Sequence, residues 1–186
     1  SPFLSLAYLE ETAFHRQYPD PFAGGDGLVV GGVVGVLDLD GRDVADLAVA
    51  MWSAQARDFE PAIQNARSGD WGRGIKLPLA RKASGRRVGI LGMGRIGREI
   101  ADRLAAFKTE IHYQSRSRKD TPAGWTYHAD PVELARAVDD LIVAVVGGPE
   151  TEGFVSAGVI GALGPDGSAV TSVRPVWRAI CMPNHA

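Results

Sequence analysis

The chain of 186 residues has little that would tie it to an extracellular, membrane or nucleic-acid setting. It holds one cysteine, Cys181, which excludes an internal disulfide framework and suits a reducing compartment, so we expect a cytoplasmic protein. The longest apolar run of the first half, 28–37, is interrupted by glycines and is too short for a membrane helix. A formal net charge of −2 offers no basic field for nucleic acid, and no spacing of ligating side chains indicates a metal site.

The remaining composition is that of a globular protein with one full domain. The chain is 45% hydrophobic and 23% charged, and its length supports a real core. Strand and helix patterns alternate along 88–173, which predicts an α/β fold with a doubly wound parallel sheet of the Rossmann type. The predicted strands are 88–91, 110–114, 141–146 and 169–173, and the predicted helices are 95–107, 131–138 and 151–163.

Two helix starts are predicted from capping residues. Apolar residues at helical spacing from 44 to 66 predict a long helix with Asp43 as its N-cap and a kink at Pro61. Asp130 is predicted to cap the helix that begins at Pro131, where the missing N–H costs nothing. Residues 4–14 fit a short helix, and 77–85 form a connector.

Three glycines lie between a predicted strand and a predicted helix. Gly92, Gly94 and Gly97 give the spacing G-x-G-x-x-G. In this pattern the first glycine permits a tight turn, the second lets backbone approach a pyrophosphate, and the third lets the helix pack on the strand. The phosphates would lie at the helix N-terminus, where unpaired N–H groups and the helix dipole favour negative charge. The pattern predicts a dinucleotide site, with a plain tight turn or another nucleotide-like ligand as the alternatives.

The segment that follows the second predicted strand bears on the choice between NADP(H) and NAD(H). An NAD site places Asp or Glu about 20 residues after the glycine motif, where the carboxylate accepts hydrogen bonds from the ribose 2′-OH. Here 114–119 reads Gln-Ser-Arg-Ser-Arg-Lys, and no acid precedes Asp120. Arg116, with the hydroxyls of Ser115 and Ser117, suits a 2′-phosphate instead. We favour NADP(H), while NAD(H) and a solvated basic turn stay open as alternatives.

Five stretches, in this order, resemble the D-isomer-specific 2-hydroxyacid dehydrogenase family, and most of all its glyoxylate/hydroxypyruvate reductase branch. They are 43–50, 85–97, 113–117, 148–151 and 162–167. The resemblance implies a cofactor domain inserted into a substrate domain through two long crossover helices. The first of these would be 44–66, and it would pack against the second subunit of a homodimer.

The resemblance also implies roles for individual residues. The backbone from Met93 to Ile96 would wrap the pyrophosphate, and the Ser-Arg-Ser triplet would contact the 2′-phosphate. We assign the cofactor-binding positions as Gly92, Met93, Gly94, Arg95, Ile96, Gly97, Ser115, Arg116, Ser117, Ser172, Val173 and Arg174.

The resemblance places the catalytic arginine, which binds and polarises a 2-oxo acid, at Arg174, seven residues after the turn 164–167. Pro175 stands where the family pattern has Gly, and the residues after it no longer resemble the family. Family members move the proton with a His held by a Glu, and His185 comes too soon after Arg174 to be that histidine. His15, His112 and His128 have no family counterpart either, so we expect surface or packing roles for them.

Because the chain begins with Ser1 and stops before the family's Glu and His, we expect it to be incomplete. The predicted parts are 1–42, a remnant of the substrate domain; 43–84, the crossover helix and connector; 85–174, the cofactor domain; and 175–186, an unrelated tail. The predicted function is reduction of glyoxylate, hydroxypyruvate or a similar small 2-oxo acid with NADPH. One alternative is a truncated, catalytically incompetent NAD(P)-binding module, and another is a structural fragment that binds no nucleotide.

Overall fold

The computed structural model describes residues 41–145, 151 and 153–171. Its strands form one sheet in the order β3-β2-β1-β4-β5, and every neighbouring pair is parallel. The predicted α/β fold with a doubly wound parallel sheet is therefore confirmed. In chain order the elements are α1 (Arg42–Ala56), α2 (Phe59–Arg67), β1 (Arg87–Leu91), α3 (Arg95–Ala106), β2 (Glu110–Gln114), β3 (Thr126–His128), α4 (Pro131–Ala137), β4 (Asp140–Val143), α5 (Ala157–Leu163) and β5 (Ser168–Thr171).

The sheet is covered on both faces, which explains why β1 and β4 are mostly apolar after their first residues, Arg87 and Asp140. On one face α1 and α3 pack against the sheet, and Trp52 of α1 meets Phe107 edge to face with ring centroids 5.3 Å apart. On the other face α4 and α5 pack through Leu134 and Val159. All residues of β4 are buried. Among the described residues, no helix is both long and apolar enough to cross a membrane.

The predicted helix over 44–66 is wrong in two respects. It is two helices, because α1 ends at Ala56 and Asp58 adopts a left-handed conformation with φ 50° before α2. Pro61 does not cause this break, since it lies in the first turn of α2, where backbone N–H groups have no partner within the helix. The predicted N-cap Asp43 is also wrong: the helix begins at Arg42 with Gly41 as its cap, and Asp43 lies in the first turn, where its charge suits the dipole.

The other elements predicted within the described residues are present, β2 with the predicted ends and the rest with shifted ends. Asp130 caps α4 as predicted, and its carboxylate accepts a hydrogen bond from the Glu133 N–H at 2.9 Å. The helix expected from residue 151 begins only at Ala157, because Ser156 caps it there. Strand β3, of three residues, was not predicted. The expected helix over 4–14 and the end of the strand predicted over 169–173 lie outside the described residues.

Candidate cofactor-binding site

The first glycine of the motif forms a turn at the carboxyl end of β1. Gly92 has φ +103°, and a Cβ there would lie 2.9 Å from the backbone of Ala144 and Val145 beyond β4. The N–H groups of Gly92 and Met93 both donate to the Gln114 carbonyl, at 3.0 and 3.2 Å. The turn is therefore held between β2 and β4, the strands on either side of β1, and only glycine fits it.

The third glycine lets α3 pack on that turn. A Cβ at Gly97 would lie 2.1 Å from the Gly92 carbonyl oxygen and 3.2 Å from Ile90 of β1. No side chain can be accommodated at 2.1 Å, so any substitution would push the helix away from the strand. This is the packing role that the spacing predicted for Gly97.

The second glycine differs from both. Gly94 is exposed and is the N-cap of α3, with an ordinary φ of −90° and no side-chain cap hydrogen bond. Among the described residues, no atom lies within 4 Å of a Cβ built there. Neither strain nor packing in the described structure requires a glycine at this position. What the glycine leaves is open space beside a helix N-terminus.

The electrostatics of this N-terminus favour an anion. The first turn of α3 has no acidic residue, and Arg95 is exposed at its first position. Ile96 is half-buried and Met93 is only 4% exposed, so those two residues can offer a ligand mainly their backbone. Unpaired N–H groups of a first helical turn bind phosphate through hydrogen bonds and the helix dipole.

The loop after β2 begins beside the glycine turn. Leu91 and Gln114 are paired in the parallel register of β1 and β2, so both loops leave the same edge of the sheet, about 5 Å apart. Ser115 is buried, and its hydroxyl donates to the Ser117 carbonyl at 2.7 Å. Arg116 and Ser117 are exposed. The structure thus brings the two predicted parts of the site to one edge, where β1 and β4 mark the reversal of strand order typical of ligand sites in such sheets.

Part of the predicted site lies outside the described residues, namely Ser172, Val173 and Arg174. They follow β5, whose last residue Thr171 is in register with Val143 of β4. The chain therefore leaves β5 at the same carboxyl edge.

The sequence did not reveal that two of the histidines form a pair. Nδ1 of His112 lies 3.0 Å from Nε2 of His128, and the rings stack with centroids 5.3 Å apart. Burial, and then the charge of His128, lower the pKa of His112. Among the residues described, no group of three or more His, Cys, Asp or Glu could hold a metal ion. His128 lies in β3, which pairs with β2. The sequence does not predict β3, so it cannot show that the two histidines are neighbours.

Two relatives match the chain over most of its described part. Residues 49–173 match the sequence model of the family described as D-isomer specific 2-hydroxyacid dehydrogenase, NAD binding domain. A hydroxyphenylpyruvate reductase from Plectranthus scutellarioides is 44% identical over 132 residues, which are 71% of this chain and 42% of that protein. A glyoxylate/hydroxypyruvate reductase from Arabidopsis thaliana is 38% identical over 132 residues, 71% of this chain and 41% of that protein.

A solved structure shows the same fold. It is that of an NADPH-dependent glyoxylate/hydroxypyruvate reductase from Sinorhizobium meliloti in complex with NADP and malonate. It is 40% identical, has a TM-score of 0.67, and the match covers 73% of this chain and 43% of that one. The chain spans less than half the length of these relatives.

Proposed function

Because this chain belongs to the D-isomer specific 2-hydroxyacid dehydrogenase family, we propose that it binds NADP(H) and serves the reduction of a small 2-oxo acid. The observation that carries the proposal is the open space at Gly94. A glycine that the described structure does not need, at a helix N-terminus without acidic residues, fits a cofactor pyrophosphate. The backbone from Met93 to Ile96 would then hold the phosphates.

The choice of NADP(H) rests on the loop after β2. No carboxylate occurs between Gln114 and Lys119 to accept hydrogen bonds from a ribose 2′-OH. Arg116 is exposed there, and its guanidinium can form charge-assisted hydrogen bonds with a 2′-phosphate. The related Sinorhizobium meliloti enzyme is described as NADPH-dependent, which supports this choice.

For the reaction we propose glyoxylate, hydroxypyruvate or a similar small 2-oxo acid as substrate, as the names of the relatives suggest. When bound, NADPH would supply a hydride to the carbonyl carbon of the acid, and the carbonyl oxygen would take up a proton from solvent or an acidic group to give the 2-hydroxy acid. Arg174 would bind the carboxylate of the acid through paired hydrogen bonds from its planar guanidinium. Its place in the chain, three residues after the end of β5 at the carboxyl edge, supports this role.

We also propose that 85–174 form the cofactor domain and that 43–84 contribute the interface of a homodimer. No residue of α2 is buried, and Phe59 and Ile63 lie one turn apart on it with 49% and 41% exposure. Trp71 and Leu79 are 77% and 100% exposed. Apolar surface of this kind is typical of protein interfaces. Light scattering should give twice the chain mass of 19.8 kDa, and a monomer would contradict the dimer.

Titration of the 186-residue chain with NADPH and with NADH, followed by a reductase assay with glyoxylate and hydroxypyruvate, tests the function. In Gly94→Val, the branched side chain would fill the pyrophosphate space, so we expect no measurable NADPH binding. Because valine is a poor N-cap, the variant should lose about 1 kcal/mol of stability and still fold. The matched control is Gly72→Val in the segment between α2 and β1. Among the described residues, its Cβ would meet the Gly69 carbonyl oxygen alone, at 3.4 Å. Unchanged NADPH affinity in a folded Gly94→Val variant would remove the dinucleotide site from this turn.

A further inference from the structure

Two tyrosine hydroxyls hold the loop of residues 115–119 at both of its ends. The Tyr113 hydroxyl donates to the Lys119 carbonyl at 3.2 Å and accepts from the Lys119 N–H at 3.1 Å. The Tyr127 hydroxyl donates to the carbonyl of Ser115 at 3.4 Å. The two tyrosines are opposite each other in the parallel register of β2 and β3, with ring centroids 5.5 Å apart. Neighbouring strands thus anchor the first and last residues of one short loop.

These contacts define the shape of the loop before any ligand arrives. Tyr113 is fully buried, so its hydroxyl is held by the packing of its ring. Within the loop, the hydrogen bond from Ser115 to the Ser117 carbonyl closes the turn. Arg116 and Ser117 are left exposed on the outside of this turn. A loop that is already ordered loses less conformational entropy when it binds.

A third contact ties the same loop region to α3. Arg98 of α3 donates to the Asp120 carbonyl at 3.2 Å, and its guanidinium lies 5.0 Å from the centre of the Trp125 ring. The helix whose N-terminus borders Gly94 and the loop that carries Arg116 are therefore connected. The contacts of Arg98 restrict the movement of α3 relative to the C-terminal side of the loop.

We propose that Tyr113 is a positioning residue for recognition of the 2′-phosphate of NADP(H), acting through the loop that presents Arg116 and Ser117. This inference rests on the proposed function, in which that loop takes the 2′-phosphate. The phenol itself contacts only the backbone of Lys119 among the hydrogen bonds described. Its effect should therefore appear with NADPH and be absent with NADH, which has no 2′-phosphate.

The test is Tyr113→Phe in the full chain, because phenylalanine keeps the ring and removes the two hydrogen bonds. We expect the Kd for NADPH to rise about tenfold, the scale of one lost hydrogen bond, and the Kd for NADH to stay the same. Thr109→Val is the matched control, since it removes a hydrogen bond to the Leu104 carbonyl next to the start of β2. It should lower stability without changing the ratio of the two Kd values.

A double-mutant cycle separates positioning from a general structural role. If Tyr113 acts through the loop, then Tyr113→Phe should change NADPH affinity little when Arg116→Ala is already present. Equal weakening of NADPH and NADH, or full additivity with Arg116→Ala, would overturn the inference. If Tyr113→Phe does not fold, Tyr127→Phe can replace it, because it removes the longer hydrogen bond to the Ser115 carbonyl. We expect a smaller rise in the Kd for NADPH and no change in the Kd for NADH. An unchanged Kd for NADPH in Tyr127→Phe would then overturn the inference.

Wild-type titrations keep the two claims apart. A wild-type chain that binds NADH as tightly as NADPH, or binds neither, overturns the proposed cofactor and this inference with it. A wild-type chain that prefers NADPH while the tyrosine variants keep the same preference overturns the inference alone.

Discussion

Asp140 is the buried charge on which the amino edge of the sheet depends. It begins β4, is 1% exposed, and its two carboxylate oxygens accept four hydrogen bonds. Oδ2 accepts from Nε1 of Trp52 at 2.9 Å and from Nε of Arg86 at 2.5 Å. Oδ1 accepts from a terminal nitrogen of Arg86 at 2.8 Å and from the Ser168 hydroxyl at 2.6 Å. These bonds connect α1, the residue before β1, and β5. The hydrogen bond from Arg86 to Asp140 and the charge of Asp140 raise the pKa of Arg86.

Asp140→Asn keeps the volume and removes the charge. Whichever way the amide is turned, its NH₂ group faces donors, and Arg86 loses an acceptor together with its counter-charge. Removing one partner of a buried ion pair costs about 3–5 kcal/mol. The side chain of Arg86 is 15% exposed, so part of its charge stays hydrated and we expect about 3 kcal/mol, at the lower end. For a chain of this size that corresponds to a drop in Tm of about 10 °C.

Urea unfolding followed by circular dichroism measures this loss, with Ser168→Ala as the control. That variant removes one hydrogen bond and leaves the ion pair, so it should cost about 1 kcal/mol. If Asp140→Asn lowers the free energy of unfolding no more than Ser168→Ala does, the ion pair does not stabilise this edge of the sheet, and the reasoning is refuted. NADPH affinity of the folded Asp140→Asn variant should be unchanged, since the candidate site lies at the opposite edge.

Two further predictions concern charge. Arg116→Ala should weaken NADPH binding by about 1.5–3 kcal/mol, the range for hydrogen bonds to charged groups, and titration should show NADH unaffected; equal losses would mean that Arg116 does not recognise the 2′-phosphate. The pKa of His112 is lower in the folded chain than its ordinary value of 6.5. Below pH 6.5 the unfolded chain therefore binds more protons than the folded chain, and the free energy of unfolding falls as the pH drops through the folded pKa. The urea midpoint of His112→Gln should therefore fall less than that of wild type between about pH 7.5 and 5; identical pH profiles would contradict this.

The parts of the fold that could be predicted are those governed by local chemistry. Strands such as β1 and β4 are recognisable because burial on both faces demands continuous apolar residues. Asp130 before Pro131 marks a helix start because both residues suit a first turn. The spacing of the glycine motif predicts a tight turn at Gly92 and close packing of the helix at Gly97, and the structure confirms both.

The parts that could not be predicted depend on contacts distant in sequence. The chain leaves the helical conformation at Asp58, where the sequence has no Gly or Pro. The sequence therefore predicts a kink at Pro61, three residues too late. Strand β3 is too short and too polar to stand out, and without it neither the His112–His128 pair nor the tyrosine contacts of the loop can be located. A single hydrogen bond of the Asp140 network, that from Trp52, joins residues 88 positions apart. Its members look like ordinary polar residues until the sheet order is known.

The stabilising network and the candidate binding site lie at opposite edges of the sheet. The amino edge holds the buried Asp140 network and the carboxyl edge holds the glycine turn. The length of β4, about 10 Å, separates the two edges. At the carboxyl edge, packing against the described part of the chain requires glycine at Gly92 and Gly97 but not at Gly94. A Ser, Asp or Asn there would cap α3 better than glycine does, and no atom of the described residues lies within 4 Å of a Cβ at this position. Such a side chain would occupy the space beside the helix N-terminus, and Asp would add negative charge where a phosphate would lie. Glycine at Gly94 is therefore the worse choice for the helix and the better one for an anionic ligand.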